Sequence, residues 1–344
     1  MSIPLGDFAD GDNYTDNGAA FPRWVAAIKK YGLPGWVDPG TYLTGAGIVV
    51  DTDVGLRFAG PGPDWATIKG VSLPSGDPLF QLNSKQNSRV EGLRFTSDGV
   101  GGGNGLHIQY DGNSTSVRNS IADIALSNFA NGWALVANNI EMFTAERVYV
   151  FGGRDGIYTD NIGNASALAV TGNCLSNKFS QCRVLSSPGR GWYIKNQTAS
   201  VFEACQSLQT GKMASGGSEI VTPGYEGIYS VHLDGTNKNC RIHGFDIENY
   251  RISSGDQVFD HLVSGLLASG YRHEIKGLNL YGMNIAARLS SAVDCLVGQV
   301  GIVQCGSNGL VDNGCVGIGL EHPAQWTNQG TSTFILGGGR PGYA

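Results

Sequence analysis

The chain has 344 residues, of which 41% are hydrophobic and only 15% are charged, and its formal net charge is −6. The acidic balance argues against a nucleic-acid backbone as a partner, because proteins that bind one present clustered positive charge. Apolar and aromatic residues are spread throughout, which excludes a disordered chain. No apolar run reaches the roughly 18 residues of a membrane span, and no basic segment followed by an apolar one marks a signal peptide at the start.

Four aspartates open the chain, at Asp7, Asp10, Asp12 and Asp16. An EF-hand loop counted from Asp10 fails, because Tyr14 and Phe21 stand at its fifth and twelfth positions, where acids are required. Zinc spacing and nucleotide-binding fingerprints are absent from the sequence, so we expect no metal and no cofactor. We expect these aspartates to be turn and capping residues, with Thr15 or Asp16 capping the helix that follows.

An amphipathic helix is predicted directly after the aspartates. Its apolar residues recur at helical spacing, at Ala20, Trp24, Ala27, Ile28 and Tyr31. Gly32 is expected to end the helix, and Pro22 predicts either a later start or a kink. We expect Trp24 and Ile28 to pack on the domain that follows and to cover its open end.

A six-residue pattern with apolar residues at its first, fourth and sixth positions recurs through the middle of the chain. Its copies begin at Val90, Ile121, Phe143, Phe179, Phe202, Ile242 and Ile275. The copies are 22 to 40 residues apart, and such uneven spacing suits a parallel β-helix, whose turns can swell into loops. Strand-like alternation between them supports this interpretation. We predict an all-β fold, a right-handed single-stranded parallel β-helix over residues 46–320, with an N-terminal helical cap at 1–45 and a C-terminal cap or tail at 321–344.

Seven cysteines are scattered along the chain, and none form a CxxC pair. An odd number without a signal peptide is typical of a protein made in a reducing cytoplasm. Cys182 and Cys205 occupy the same pattern position in consecutive copies. We expect them to be stacked, buried thiols rather than a disulfide.

Candidate catalytic residues come from the outward second, fifth and seventh pattern positions. Asp246 and Glu248 lie two residues apart on one predicted strand, about 6.6 Å apart at Cα, within the range of about 6.5–9.5 Å found between the carboxylates of inverting glycosidases. Glu203 and His243 would be neighbours in consecutive copies and form a second acid–base candidate. The alternative is a solvated face with weak surface ion pairs.

Candidate substrate-binding residues surround these carboxylates or lie in loops. Arg183 and His243 belong to the same predicted face. Tyr225 and Tyr250 could stack on sugar rings, and Asp155 lies at a separate corner of the repeat.

The opening stretch also carries a recognisable motif. It reads GDNYTDN from Gly11 to Asn17, continues into an Ala-bearing amphipathic stretch, and reads GWVDPGTYL from Gly35 to Leu43. Over about forty residues it resembles the N-terminal cap of the pectate-lyase-like superfamily found in phage tailspikes. The superfamily's polygalacturonase signatures (NTD, DD, GHG and RIK) are absent, so that mechanism is not supported.

The resemblance implies a phage tail or surface spike, synthesised in the host cytoplasm and carried on the virion. It further implies a homotrimer that associates with other virion proteins and binds a bacterial surface polysaccharide, either capsule or O-antigen. With the paired carboxylates, we expect depolymerisation of the glycoside hydrolase type. Two alternatives stay open: a receptor-binding spike without catalysis, and a polysaccharide lyase that uses Arg147, Arg183 or His243.

Overall fold

Short strands stacked in parallel make up most of the computed structural model. It describes residues 1–109, 116–160, 174–215, 218–253, 256–259, 262–303, 308–313, 315–316, 318–321, 326–327 and 333–335. The chain divides into two compact units, Met1–Asn177 and Lys178–Ala344. Each unit is a right-handed parallel β-helix, as predicted. Each turn of the chain, which we refer to as a rung, adds strands to a first sheet and a second sheet.

In the first unit, the first sheet contains the strands Ile3–Pro4, Asp12–Asp16, Gly35–Trp36, Gly40–Thr44, Arg57–Ala59, Ala66–Gly70, Arg89–Ser97, Ser120–Ser127 and Thr144–Phe151. The second sheet contains Ile48–Thr52, Phe80–Ser84, Leu106–Gln109, Trp133–Asn138 and Asp155–Asp160. The remaining elements of this unit are a 3-10 turn at Leu5–Asp7, the helix Ala20–Tyr31, and short strands at Ser116–Val117, Ile140–Glu141 and Cys174–Leu175.

In the second unit, the first sheet contains Lys178–Ser180, Arg183–Leu185, Val201–Glu203, Gln206–Leu208, Arg241–His243, Asp246–Glu248, Glu274–Tyr281, Leu296–Val303, Gly319–Glu321 and Trp326–Thr327. The second sheet contains Trp192–Ile194, Tyr229–Leu233, Ser264–Tyr271, Ile285–Val293, Asn308–Asn313 and Thr333–Ile335. Gln197–Thr198 is a further short strand. Two antiparallel hairpins leave the rungs, at Lys212–Ser215 with Ser218–Val221 and at Tyr250–Ser253 with Asp256–Phe259.

The interior is built from the apolar pattern positions. The seven residues predicted to begin the repeats are all buried, as predicted: Val90, Ile121, Phe143, Phe179, Phe202, Ile242 and Ile275. In the second unit the rings of Phe179 and Phe202 stack with centroids 5.2 Å apart, and Trp192 meets Phe202 edge-on. Aromatic contacts between successive rungs therefore stabilise this part of the core.

Each first-sheet rung bends at the third position of the pattern. The residues there have φ between 51° and 66°: Gly92, Asp123, Arg147, Gln181, Ala204, Gly244 and Gly277. Glycine adopts this left-handed conformation without steric cost, which explains its use in three of the seven rungs. The bend separates positions one and two from positions four to six, and it allows the first and fourth residues both to face the interior.

The repeat that was predicted to begin at Phe143 is out of frame by two residues. Ala145, not Phe143, pairs with Ile121 of the preceding rung. Phe143 is buried just before the strand, and a small residue occupies the aligned interior position, so the apolar pattern alone favoured the wrong frame. Arg147 consequently lies at the bend, where its guanidinium bonds Asp123 at 2.6 and 2.9 Å.

The cap helix spans Ala20–Tyr31 and ends at Gly32, whose φ is 63°. Pro22 lies in the first turn, where its missing N–H would have had no helical partner. The predicted cap by Thr15 or Asp16 is wrong, because Ala19 precedes the helix without a side-chain cap. Asp16 instead accepts hydrogen bonds from the backbone N–H groups of residues 18 and 45.

The buried face of the cap helix is centred on Trp24 and Ile28, both fully buried. The Trp24 ring meets Phe58 edge-on at 5.6 Å, and its Nε1 donates to the Ile3 carbonyl at 3.0 Å. Tyr31 is 62% exposed, so the apolar stripe ends one turn earlier than predicted. The helix thus covers core residues of the first unit.

Candidate active site

Two carboxylates lie side by side on the outer face of the first sheet in the second unit. Asp246 and Glu248 flank Ile247, which is fully buried. Because successive strand residues point to opposite faces, both acids face outward, with their Cα atoms about 6.6 Å apart. The strand therefore presents the two acids as a pair.

Asp246 is held by amides from the rungs on either side. Gln206 and Asn279 are its register partners in the neighbouring strands. Gln206 Nε2 donates to Asp246 Oδ2 at 3.1 Å, and Asn279 Nδ2 donates to Oδ1 at 2.7 Å. Both carboxylate oxygens thus accept a hydrogen bond, which fixes the orientation of the side chain.

Glu248 has a different environment. Its register partners are Leu208, which is buried, and Tyr281. Burial raises the pKa of Glu248 above its usual value, and the nearby negative charge of Asp246 raises it further, while Arg183 opposes the shift. A half-buried carboxyl beside a second acid favours the protonated form.

The pair can therefore divide acid and base roles. Glu248 is biased towards carrying a proton, and Asp246 accepts donors from both sides. Two neighbouring carboxyls in different environments are typical of acid–base catalysis.

Glu203 and His243 are register partners in consecutive rungs, but each has a different ionic contact. Glu203 Oε2 is 3.1 Å from Lys178 Nζ, and both side chains are about half exposed. His243 Nε2 is 3.7 Å from Glu274 Oε2. The structure thus pairs these two residues in register, while Glu203 forms a surface ion pair with Lys178, of the kind worth about 0–1 kcal/mol, and His243 lies beside Glu274.

Glu274 also contacts two basic side chains on the same outer face. Its Oε1 is 2.9 Å from Lys276 Nζ, and its Oε2 is 3.5 Å from Arg241 Nε. The hydrogen bond from Lys276 lowers the pKa of Glu274, and the positive charges of Lys276, His243 and Arg241 lower it further. Glu274 is therefore an ionised neighbour of His243.

The remaining predicted site residues lie in several places. Arg183 lies in the same outward column as Asp246, meaning the set of side chains that are register partners in successive rungs. Arg183 pairs with Gln206, and Gln206 pairs with Asp246. Tyr225 lies in the turn after the first hairpin, where its N–H donates to the Thr222 carbonyl. Tyr250 begins the second hairpin, and its side chain lies outside the described part. Asp155 belongs to the first unit, where it is buried with Arg154 Nε 3.7 Å from its Oδ2.

Sequence reasoning missed the two amides that hold Asp246. Gln206 and Asn279 occupy the same outward pattern position as Asp246, and this shared position was the available signal. Within the described ranges, no three His, Cys, Asp or Glu side chains are grouped so that they could hold a metal ion. Among the residues that the structure describes, no helix is both long and apolar enough to cross a bilayer.

The predicted stacked thiols are confirmed. Cys182 and Cys205 are both buried, and both are thiols rather than members of a disulfide. Burial raises the pKa of the Cys205 thiol well above its usual value, and contact with Cys182 adds to the effect. Both behave as core side chains rather than reactive groups.

No protein-family model and no curated protein matches this chain. Solved structures do. The ORF18 protein of Geobacillus virus E2 has a TM-score of 0.67 at 16% identity, covering 97% of this chain and 62% of its own. The tailspike of Acinetobacter phage vb_AbaP_AS12 has a TM-score of 0.67 at 14% sequence identity, and the match covers 94% of this chain and 57% of the tailspike chain. The Dettilon tailspike protein has a TM-score of 0.60 at 13% sequence identity, and the match covers 94% of this chain and 60% of the tailspike chain.

The chain thus spans about three fifths of the length of these similar proteins. At such low identities the likeness concerns the fold. The chain has the right-handed parallel β-helix fold found in phage tailspikes.

Proposed function

We propose that the protein is a phage spike that binds a bacterial surface polysaccharide and cleaves it as a glycoside hydrolase. The observation that carries this proposal is the Asp246–Glu248 pair, in which one acid is held by amides and the other has a raised pKa. The tailspike-like fold supports the phage context. Capsule and O-antigen are the surface polymers that such a spike would meet.

In the proposed reaction, Glu248 is the general acid and Asp246 is the general base. Glu248 donates its proton to the glycosidic oxygen as the bond to the anomeric carbon breaks. Asp246 takes a proton from a water molecule, whose oxygen attacks the anomeric carbon from the opposite side. The products are two shorter chains, one with a new reducing end of inverted configuration.

The neighbouring residues are proposed to hold the polymer. Arg183 lies in the Asp246 column, and Glu203 and His243 lie in the adjacent outward column. Tyr225, in the turn after the first hairpin, and Tyr250, at the start of the second hairpin, are proposed to contact the polymer. Asp155 is proposed as a separate contact in the first unit.

Self-association is part of the proposal. Tyr149 and Phe151 are 38% and 46% exposed on the outward face of one strand in the first unit. Two aromatic side chains on one exposed face favour burial against another surface. We propose a parallel homotrimer, attached to the virion through other phage proteins.

The reaction type is tested by incubating the protein with purified capsules and O-antigens. Shorter chains with new reducing ends and no gain in ultraviolet absorbance support the hydrolase. Shorter chains that gain ultraviolet absorbance from an unsaturated uronate identify a lyase and contradict the assigned roles. A polymer that is bound but remains intact identifies a receptor-binding spike without catalysis.

A further inference from the structure

A second cluster of side chains lies on the outer face of the second sheet in the second unit. Tyr193 and His232 are register partners in neighbouring rungs, and their rings stack with centroids 4.8 Å apart and planes 27° apart. Tyr193 also donates from its hydroxyl to Asp234 Oδ2 at 3.2 Å. The tyrosine ring is therefore held in one orientation.

Two cations lie against that ring. The Arg190 guanidinium carbon is 4.7 Å from the Tyr193 centroid, and Lys195 Nζ is 5.7 Å from it. Both distances fall within the range of about 6 Å for cation–π attraction. The ring thus holds two positive groups near one point of the surface, with Asp234 as the carboxylate in contact with the tyrosine.

The pKa of His232 reflects its burial and the positive charges near it. Burial lowers the pKa of His232 to about 4, and the positive charges of Arg190 and Lys195 lower it as well, while Asp234 opposes them. At neutral pH the imidazole is therefore uncharged. The cluster combines two cations with a neutral ring that can donate or accept one hydrogen bond on each side.

A third cation continues the same column. His232 pairs with Leu267, and Leu267 pairs with Arg288, which places Arg288 three rungs, or about 14 Å, from Tyr193. Arg288 lies over the Tyr229 ring at 5.9 Å, and its Nε makes no hydrogen bond within the described residues. We name Arg190, Tyr193, Lys195, His232 and Arg288 the cationic column.

We propose that the cationic column binds the carboxylate groups of an acidic polysaccharide. This inference rests on the proposed function and specifies the chemistry of its polymer. The chain as a whole carries a net charge of −6 and therefore repels anionic polymers in general. The positive groups of the cationic column attract anionic segments to this one part of the surface. A guanidinium matches a carboxylate with two parallel hydrogen bonds, and the column has guanidinium groups at both ends, at Arg190 and at Arg288.

Binding to immobilised protein tests the proposal with a panel of purified capsules and O-antigens, half acidic and half neutral. Each protein also carries Glu248→Gln, so that cleavage does not remove the polymer during the measurement. We expect an acidic polymer to be retained, and its affinity to fall at least tenfold after its carboxyl groups are chemically reduced to alcohols. We expect the same loss from Arg190→Gln combined with Lys195→Gln.

The matched control is Lys30→Gln combined with Arg272→Gln, which removes the same charges from exposed positions outside the column. It is expected to bind as the parent does. Three outcomes would overturn the inference and leave the proposed function standing. They are retention of a neutral polymer, unchanged affinity after carboxyl reduction, and unchanged affinity in the Arg190 and Lys195 double variant. Failure to retain any polymer would contradict the proposed function itself.

Discussion

Replacing Trp24 by alanine probes how the cap helix stabilises the first unit. The side chain is fully buried, meets Phe58 edge-on and donates to the Ile3 carbonyl. An aromatic side chain of this kind buries about 150–250 Å², which at about 25 cal/mol per Å² corresponds to about 4–6 kcal/mol. Some of that area is already covered in the unfolded chain, and alanine retains a methyl group. We therefore expect a loss of about 3–5 kcal/mol.

Denaturation in urea, followed by far-ultraviolet circular dichroism, measures this loss. If unfolding is irreversible, unfolding rates take the place of equilibrium values. Trp65→Ala is the control, because Trp65 belongs to the same unit and is 67% exposed, and we expect it to change stability by less than about 0.5 kcal/mol. Trp24→Phe keeps a smaller aromatic ring in the core but loses the Nε1 donor, so it should cost less than Trp24→Ala. A Trp24→Ala effect no larger than that of Trp65→Ala would refute the capping role.

Three further predictions concern packing, ionisation and assembly. Gly191→Ala should destabilise the protein by about 1–3 kcal/mol, because its Cβ would clash with Ser207 Oγ. Gly235→Ala, whose Cβ would have its nearest neighbour at 3.7 Å, should be nearly neutral in the same urea denaturation assay. Because the pKa of Glu248 is raised in the folded protein, its ionisation lowers the stability of the parent as the pH rises through that pKa. Glu248→Gln should therefore be more stable than the parent at pH 8, and this gain should disappear at pH 4. An equal difference in stability at pH 8 and pH 4 would show that Glu248 does not titrate differently on folding. Phe151→Glu should convert a trimer to monomers in light scattering, and a trimer that persists would place this face outside the interface.

The repeat made much of the fold predictable, because the interior positions recur in nearly every rung. The bend was harder to see. Gly92, Gly244 and Gly277 mark it, but Gln181 and Ala204 adopt the same positive φ without a glycine signal. Local sequence does not reveal this conformation when the packing of neighbouring rungs imposes it.

One interior exception also has a physical explanation. Ser207 occupies a position that is apolar in other copies, and it is fully buried. Its Oγ lies 2.8 Å from Ser230 Oγ, which lies 2.6 Å from Thr210 Oγ1. The three hydroxyls satisfy one another, so a polar residue fits the core at that rung.

For the candidate site, the pattern predicted which residues face outward and which rungs are neighbours. It could not predict that Gln206 and Asn279 both turn towards Asp246, or that Glu203 contacts Lys178. Those contacts depend on side-chain conformations, which residue spacing does not determine. The alignment of the cationic column likewise required the register of the second sheet.

The most direct test of the central claim is the rate at which purified host polysaccharide gains reducing ends. Asp246→Asn and Glu248→Gln should each lower this rate by about 10²–10⁴-fold, the usual contribution of a general acid or base, with assembly unchanged and no loss of stability. The control Asp294→Asn, an exposed carboxylate of the same unit near Arg272, should cleave at the parental rate. If both site variants cleave as fast as the parent, Asp246 and Glu248 are not the catalytic pair.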